Sequence, residues 1–371
     1  MKKYLLAGTA AVALTAFAAP ASADYWWANT SISGRDYWDV TNIDQKRDGV
    51  KQDDNGTSFD IKRFYVSIDH SFDDMFSADI TTDMNYISAD SETQVYIKKA
   101  YLQAKISDEL IIRVGSADMP WIPFDEDVYG YRFVENTLID RVKYGTSADW
   151  GVHALGKLAD GLIGYQFSVV NGAGYKKPIR TDGVDVEGRV NVNYEGFVAA
   201  IGGYSGDLGA RYGVHTFHTA QRIDGLVAYN ANGIRVGGEV FSANDWMSVT
   251  SNRTDKAIGY SAFASYQFDP NWSVFGRYDW VAPKSSSAAL FGTSAANREM
   301  HDQYFNIGVD WSPVKIVDIA LVYKHERGEG GFLSTSNGVD PANGSGLPIG
   351  GLGGGTSGTY DEFGVWGQFR W

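Results

Sequence analysis

Phe76-Ser77-Ala78-Asp79-Ile80-Thr81-Thr82-Asp83-Met84-Asn85-Tyr86 changes character at nearly every step. Successive side chains of an extended strand point to opposite faces. Phe76, Ala78, Ile80, Thr82, Met84 and Tyr86 therefore share one face, and Ser77, Asp79, Thr81, Asp83 and Asn85 share the other. Such a strand needs hydrocarbon against one side and water against the other. A soluble sandwich satisfies one strand of this kind. Here the alternation returns in about sixteen segments, near 25–34, 58–69, 75–86, 93–106, 110–117, 148–157, 161–171, 185–194, 197–205, 219–230, 233–243, 256–268, 271–281, 301–312, 315–326 and 360–371. No long helical pattern interrupts them. An all-β fold follows: a transmembrane antiparallel up-and-down β-barrel of about 16 strands, lipid outside and a wet lumen within.

The connections alternate in length. Short turns with Gly, Asn, Asp or Pro sit at 72–74, 107–109, 159–161, 195–196, 231–233, 269–271 and 312–313, the chemistry of tight hairpins. Long polar stretches separate them at 35–57, 87–92, 118–147, 172–184, 206–218, 244–255, 282–300 and 327–359. This rhythm places turns on the periplasmic side and loops outside. The final strand alternates Phe363, Val365, Gly367, Phe369 and Trp371 with Glu362, Gly364, Trp366, Gln368 and Arg370. Left as an edge in water it would aggregate, so pairing with the first strand is expected.

Residues 1–23 read as a signal peptide, with Lys2 and Lys3, an apolar run from Leu5 to Ala18, and Ala21-Ser22-Ala23 before Asp24. One barrel domain over 24–371 remains, exported to the outer membrane of a Gram-negative bacterium. The chain has no cysteine, so no disulfide or thiolate-metal site is expected, nor any cofactor. Eleven Trp, 22 Tyr and 19 Phe suit interfacial girdles. A net charge of −13 argues against nucleic acid as a partner.

The segment 118–147 carries the functional expectation. Trp121, Phe124, Tyr129, Tyr131 and Phe133 are more aromatic surface than an external loop needs. As the third long connection, it is predicted to fold inward and pack its rings on the inner wall. Asp118, Asp125, Glu126 and Asp127 would then face the lumen as a constriction loop. An acidic surface loop or a loose calcium site are the alternatives. Opposite should stand a basic wall: Arg63, Lys99, Lys105 and Arg113, with Arg141 as a further pore-lining residue. Basic wall against acidic loop would set a transverse field across the narrowest zone. Strict alternation puts Arg189, Arg222, Arg235, Arg277, Lys324 and Arg370 inward as well, beside Asp79, Asp83, Asp224, Glu239, Asp279, Asp310, Asp318 and Glu362. So many ions in a dry interior would be prohibitive. The six histidines form no catalytic spacing, and no Gly-x-Ser-x-Gly elbow occurs. A membrane-embedded barrel hydrolase is the enzyme-class alternative. The Gly-rich stretch 328–359 reads as a mobile external loop.

The chain resembles the bacterial outer-membrane porins over its mature length. Within them, Lys99-Ala-Tyr101-Leu-Gln, Arg113-Val-Gly115, Pro120, Pro123-Phe124 and Arg141 look most like the phosphate-selective (polyphosphate) porins. The resemblance implies a homotrimer, one pore per subunit, and passive diffusion of small hydrophilic solutes and ions. Phosphate selectivity in that family rests on an arginine ladder. Here the inward arginines are spread among many acids, which implies a general or cation-leaning pore. Substrate-preferring uptake of phosphate, another anion or a sugar is the second reading.

Overall fold

The computed structural model describes residues 26–52, 55–87, 92–288, 295–331, 333, 335–337 and 357–371. The proposed signal peptide and most of the Gly-rich loop lie outside the described residues. Sixteen long strands form one antiparallel sheet: β1 Thr30–Arg47, β2 Gly56–Ser71, β3 Phe76–Ile87, β4 Glu92–Lys105, β5 Ile111–Asp118, β6 Ala148–Leu158, β7 Ile163–Val170, β8 Asp185–Tyr194, β9 Phe197–Gly206, β10 Ala220–Ala231, β11 Ile234–Asn244, β12 Asp255–Asp269, β13 Trp272–Ser285, β14 His301–Val314, β15 Val317–Glu329 and β16 Ser357–Arg370. Each pairs with its neighbours in sequence, and β1 pairs with β16 from Arg35↔Arg370 to Arg47↔Gly358. Closure removes both sheet edges. A two-residue ladder, Val50–Lys51, folds back on the end of β1.

The outside is apolar. Ile80, Leu102, Val114, Val152, Val190, Ile223, Val240, Ile307 and Leu321 are all exposed. The same strands bury Asp79, Asp83, Glu187, Asp224, Glu239 and Asp310. That inversion of a water-soluble protein is what an oil-facing cylinder demands. Two-residue turns at Glu195-Gly196 and Asn232-Gly233 have positive φ at both positions (49° and 87°, 55° and 75°). This twist matches the right-handed twist of the strands they join.

Three boundaries differ from the sequence reading. The first strand does not end at 34: residues 26–29 form one 3-10 turn and β1 runs to Arg47. Tyr37, Asp39, Thr41 and Gln45 bury inward while Val40 faces out; the inward polar residues and several charges made this half-strand look like a loop. The turn expected at Ser312-Pro313 sits three residues later. Pairing is irregular between Trp311 and Val314, since Pro313 has no N–H to give the ladder.

The third difference bears on the site. In the β1–β2 ladder Tyr37 faces Arg63 but Trp38 faces Ile61, leaving Lys62 as an extra residue. In the β3–β4 ladder Thr81 faces Lys99 but Thr82 faces Ile97, leaving Lys98 extra. Such bulges shift the inside-outside phase by one. Lys62 and Lys98, outward by strict alternation, turn to the bore with Arg63 and Lys99. Lys62 Nζ lies 3.3 Å from the buried Asp39, and Lys98 Nζ lies 3.3 Å from the Tyr65 hydroxyl.

Candidate functional site

Between β5 and β6 the chain enters the barrel. Pro123 opens helix α1, Ile122–Tyr129, and Gly130 (φ 82°) ends it with an N–H bond to Glu126 O of 2.9 Å. A Cβ at position 130 would lie 1.2 Å from the Arg235 guanidinium, which donates to Tyr129 O at 2.9 Å. One turn, α2 Leu138–Arg141, follows. Trp121 is fully buried. Its indole donates to Glu239 (2.8 Å) and its backbone N–H to Glu187 (2.9 Å). Gly202 makes the seat, for a Cβ there would come within 2.5 Å of the ring.

Charge pairs hold the rest of the loop to the β8–β16 side. Arg141 reaches Asp279 and Asp302 at 2.8 Å and Glu326 at 3.4 Å. Arg277 donates to Asn136 O at 2.6 Å, and Arg222 donates to Tyr144 O. Lys324 bridges Glu135 and Glu362 at 3.4 and 3.2 Å. Tyr131 stacks on Phe275 with centroids 4.1 Å apart. The start of the Gly-rich connection braces the loop too: Ser336 donates to Glu135 (2.5 Å), Thr335 and Asn337 to Glu326 (2.9 and 2.7 Å). Burial pushes Asp125 up to about 7. Burial also lifts Glu135, but Lys324, Ser336, Arg277 and Arg141 outweigh it and hold that carboxyl at about 2.

The bore that remains lies against β1–β5. Arg63 pairs with Asp83 at 2.8 Å, and Tyr96 OH donates to the same carboxylate at 2.9 Å. Lys98 stands 4.6 Å above the Tyr65 ring. From the loop, Arg132 pairs with Glu126 (2.5 Å) and Asp140 (3.7 Å), and lies 6.0 Å from the Tyr37 ring on β1. Tyr175 and Lys176, in the connection after β7, lean in from a third side. Lys176 Nζ sits 4.3 Å over the Tyr96 ring, whose centroid is 6.0 Å from that of Tyr175. Lys143 is exposed to the bore, and among the described residues no carboxylate lies within 4.0 Å of the ammonium of either Lys98 or Lys143. Enclosure by the surrounding barrel lowers the Lys143 pKa although its side chain is open to the bore, with Arg63 and Arg132 adding to the effect and Asp140 opposing it.

Of the sequence-proposed residues, Arg63, Lys99 and Arg113 turn inward on the open wall. Lys99 meets Asp118 at 3.4 Å, and Arg113 donates to Gln103 at 2.9 Å above the Tyr101 ring. Glu126 and Asp127 lie on the bore side of the loop, Asp127 exposed. Three placements are corrected. Lys105 pairs at 2.7 Å with Asp108 in the turn below the wall. Arg141 is wholly buried behind the loop, where three carboxylates claim it. Asp125 is also buried, because α1 turns its side chain toward Thr137 and Glu239. The three loop carboxylates therefore do not converge on one ion.

Sequence reasoning passed over Lys62, Lys98, Arg132 and Lys176. For the first two a signal exists. The outward series Phe59, Ile61 resumes as Phe64, Val66, Ile68, and Val95, Ile97 resumes as Ala100, Leu102. A spacing of three marks each bulge. His153 shares a 2.8 Å hydrogen bond with Ser168, but both are fully buried within the wall.

No protein-family model and no curated protein sequence matches the chain. Solved structures do. The anion-selective porin from Comamonas acidovorans aligns with TM-score 0.63 at 13% identity, over 92% of this chain and 99% of the other. The outer membrane channel DcaP of Acinetobacter baumannii aligns with TM-score 0.62 at 13% identity, over 92% and 97%. OmpF of Salmonella typhi aligns with TM-score 0.60 at 11% identity, over the same shares. At such identity the likeness is one of fold: the chain shares the sixteen-stranded barrel of outer-membrane porins.

Proposed function

We propose that this protein is an outer-membrane channel, passing small hydrophilic solutes and ions passively through a bore narrowed by residues 119–147. The observation that carries the reading is the inward loop itself. It seals one half of the lumen with buried aromatic and ionic contacts and leaves the other half lined by half-exposed charge. A catalytic pocket would gather a few groups around one point; these are spread along a passage. The barrel-end rhythm, the apolar exterior and the proposed leader support a Gram-negative outer membrane. The homotrimer is carried over from the resemblance to porins.

At the narrow zone Arg63, Lys98, Lys99, Arg132, Lys143 and Lys176 stand against Asp83, Asp118, Glu126, Asp127 and Asp140. This local excess of positive charge favours small anions, although the whole chain is acidic. Local groups dominate because charges more than about 10 Å away are screened at 0.1 M salt. A phosphate ladder is not supported, since Arg222 and Arg277 are taken up by Asp224 and Asp279 at 2.8 and 2.6 Å. Planar-bilayer recording under a salt gradient tests the proposal. Stepwise conductance, closing in threes, with a reversal potential on the anion side is expected. No conductance would overturn the channel, and a reversal potential on the cation side would overturn the anion preference.

A further inference from the structure

We propose that the outer wall carries a binding site for the phosphate of a phosphorylated glycolipid of the outer leaflet, formed by Lys256 on β12 and Lys284 on β13. The inference rests on the outer-membrane reading above for which end of the barrel faces outward, and goes beyond it in assigning a lipid ligand.

Lys256 and Lys284 are direct cross-strand partners near the long-loop end of their strands. Both side chains are exposed, while Asp255, Ala257, Pro283 and Ser285 beside them bury inward. The lysines thus project from the lipid face. Like charges directly opposite on a sheet are destabilising. Among the described residues neither ammonium has a carboxylate within 4.0 Å. Asn244, across from Lys256 on β11, is neutral. Glu299 bridges to Lys284 through the backbone, but its carboxylate lies 4.0 Å from His301 Nε2. Arg327, two strands on, is tied to Glu329.

Depth supports a lipid occupant. Four residues toward the midplane, on the order of 13 Å along the strand, Trp280 stacks between Tyr260 (5.2 Å) and His301 (5.5 Å), with Tyr278 beside Tyr260 at 6.4 Å. Such rings mark the level where hydrocarbon meets headgroups. Ile258 continues the apolar surface between rings and lysines. Two ammonium groups just above an aromatic girdle stand at headgroup height, and their four-carbon stems allow them to swing to a phosphate. An oxyanion bridging both would convert a repulsive pair into two charge-assisted hydrogen bonds. Acyl chains would then lie on the apolar wall below. A free anion would meet only the lysines and lack that second contact.

The full barrel in detergent, titrated with bis-phosphorylated lipid A and read by native mass spectrometry, tests this. Retention of one lipid A per chain is expected, weakened tenfold or more in the double variant Lys256→Gln/Lys284→Gln. Lipid A stripped of both phosphates should bind the unaltered protein as weakly as the bis-phosphorylated form binds the variant. Inorganic phosphate should not displace the lipid at equal concentration. Equal retention by protein and variant would overturn the site, as would effective displacement by inorganic phosphate, which would mean a plain anion site. Channel conductance in the same preparations keeps the two proposals apart. Lysine-dependent lipid binding without conductance defeats only the channel, and conductance without it defeats only the lipid site.

Discussion

The two halves of the barrel wall carry the same alternation and do opposite things with it. On β10–β16 the inward charges beneath the loop are dry: Arg222, Arg277, Asp279, Asp302, Lys324 and Glu326 are all buried. On β2–β5 the inward cations Arg63 and Lys99 stay part-exposed, and two bulges there add a lysine each to the bore. Strand alternation says which way a side chain points. It does not say whether water or another segment meets it there. Charged residues serve as fasteners on one side and as lining on the other, so substitutions of the same chemical kind should break different things.

The largest effect is expected at Arg141. Arg141→Met removes the cation shared by Asp279, Asp302 and Glu326; Asp279 keeps Arg277, but Asp302 and Glu326 are left in a buried space without a cation. Breaking a buried pair from one side costs about 3–5 kcal/mol. Loop docking should fail first, giving protease cleavage within 119–147 and noisy, enlarged conductance. A variant with quiet channels and an intact loop would refute the fastener role.

Next is the pH response of the same seam. Asp125 stays protonated to about 7 when docked, against about 3.9 for an unfolded aspartate. Between those values the folded state holds a proton that the unfolded chain has released. Its contribution to stability is therefore full below about pH 4 and is lost as pH rises to about 7. Thermal unfolding in detergent should show this decline, and Asp125→Asn, neutral throughout, should flatten it. Parallel pH profiles for the two proteins would count against it.

On the open wall the effect should move from stability to selectivity. Lys98→Gln removes an inward charge that has no carboxylate within 4.0 Å among the described residues, so unfolding should stay nearly unchanged while the reversal potential shifts toward cations. Lys324→Gln, which exposes Glu135 and Glu362 to each other, should do the reverse. If both variants move the same observable, the distinction between the halves is lost.

These contrasts mark what was legible in the sequence. Sixteen strands, their hairpin turns and an inward third connection followed from alternation and from aromatics placed where a surface loop needs none. The inward position of Arg63 on β2 and Lys99 on β4 was readable from the same alternation. Arg141 and Asp125 were misplaced because a carboxylate and its buried partner more than a hundred residues away leave no mark in local spacing. Lys98 was passed over for a different reason: the phase slip is present in Val95, Ile97, Ala100 and Leu102, but a rigid period of two reads through it. Tyr175 and Lys176 belong to a connection tied back to β6, where Trp150 donates to Tyr175 O at 2.9 Å and Tyr175 N–H to Ala148 O at 3.1 Å.

The smallest effect is expected at Lys105, and its smallness is informative. Lys105 follows Lys99 on the same inward face of β4, so alternation alone treats the two as equal contributors to the field across the bore. In the folded chain it sits at the turn, paired with Asp108 and open to water. Both groups there are screened, and exposed pairs of this kind contribute little. Lys105→Gln should leave reversal potential and unfolding unchanged within error, while Lys98→Gln shifts the former. A shift at Lys105 as large as that at Lys98 would mean that selectivity is set along the whole wall rather than where the loop approaches it.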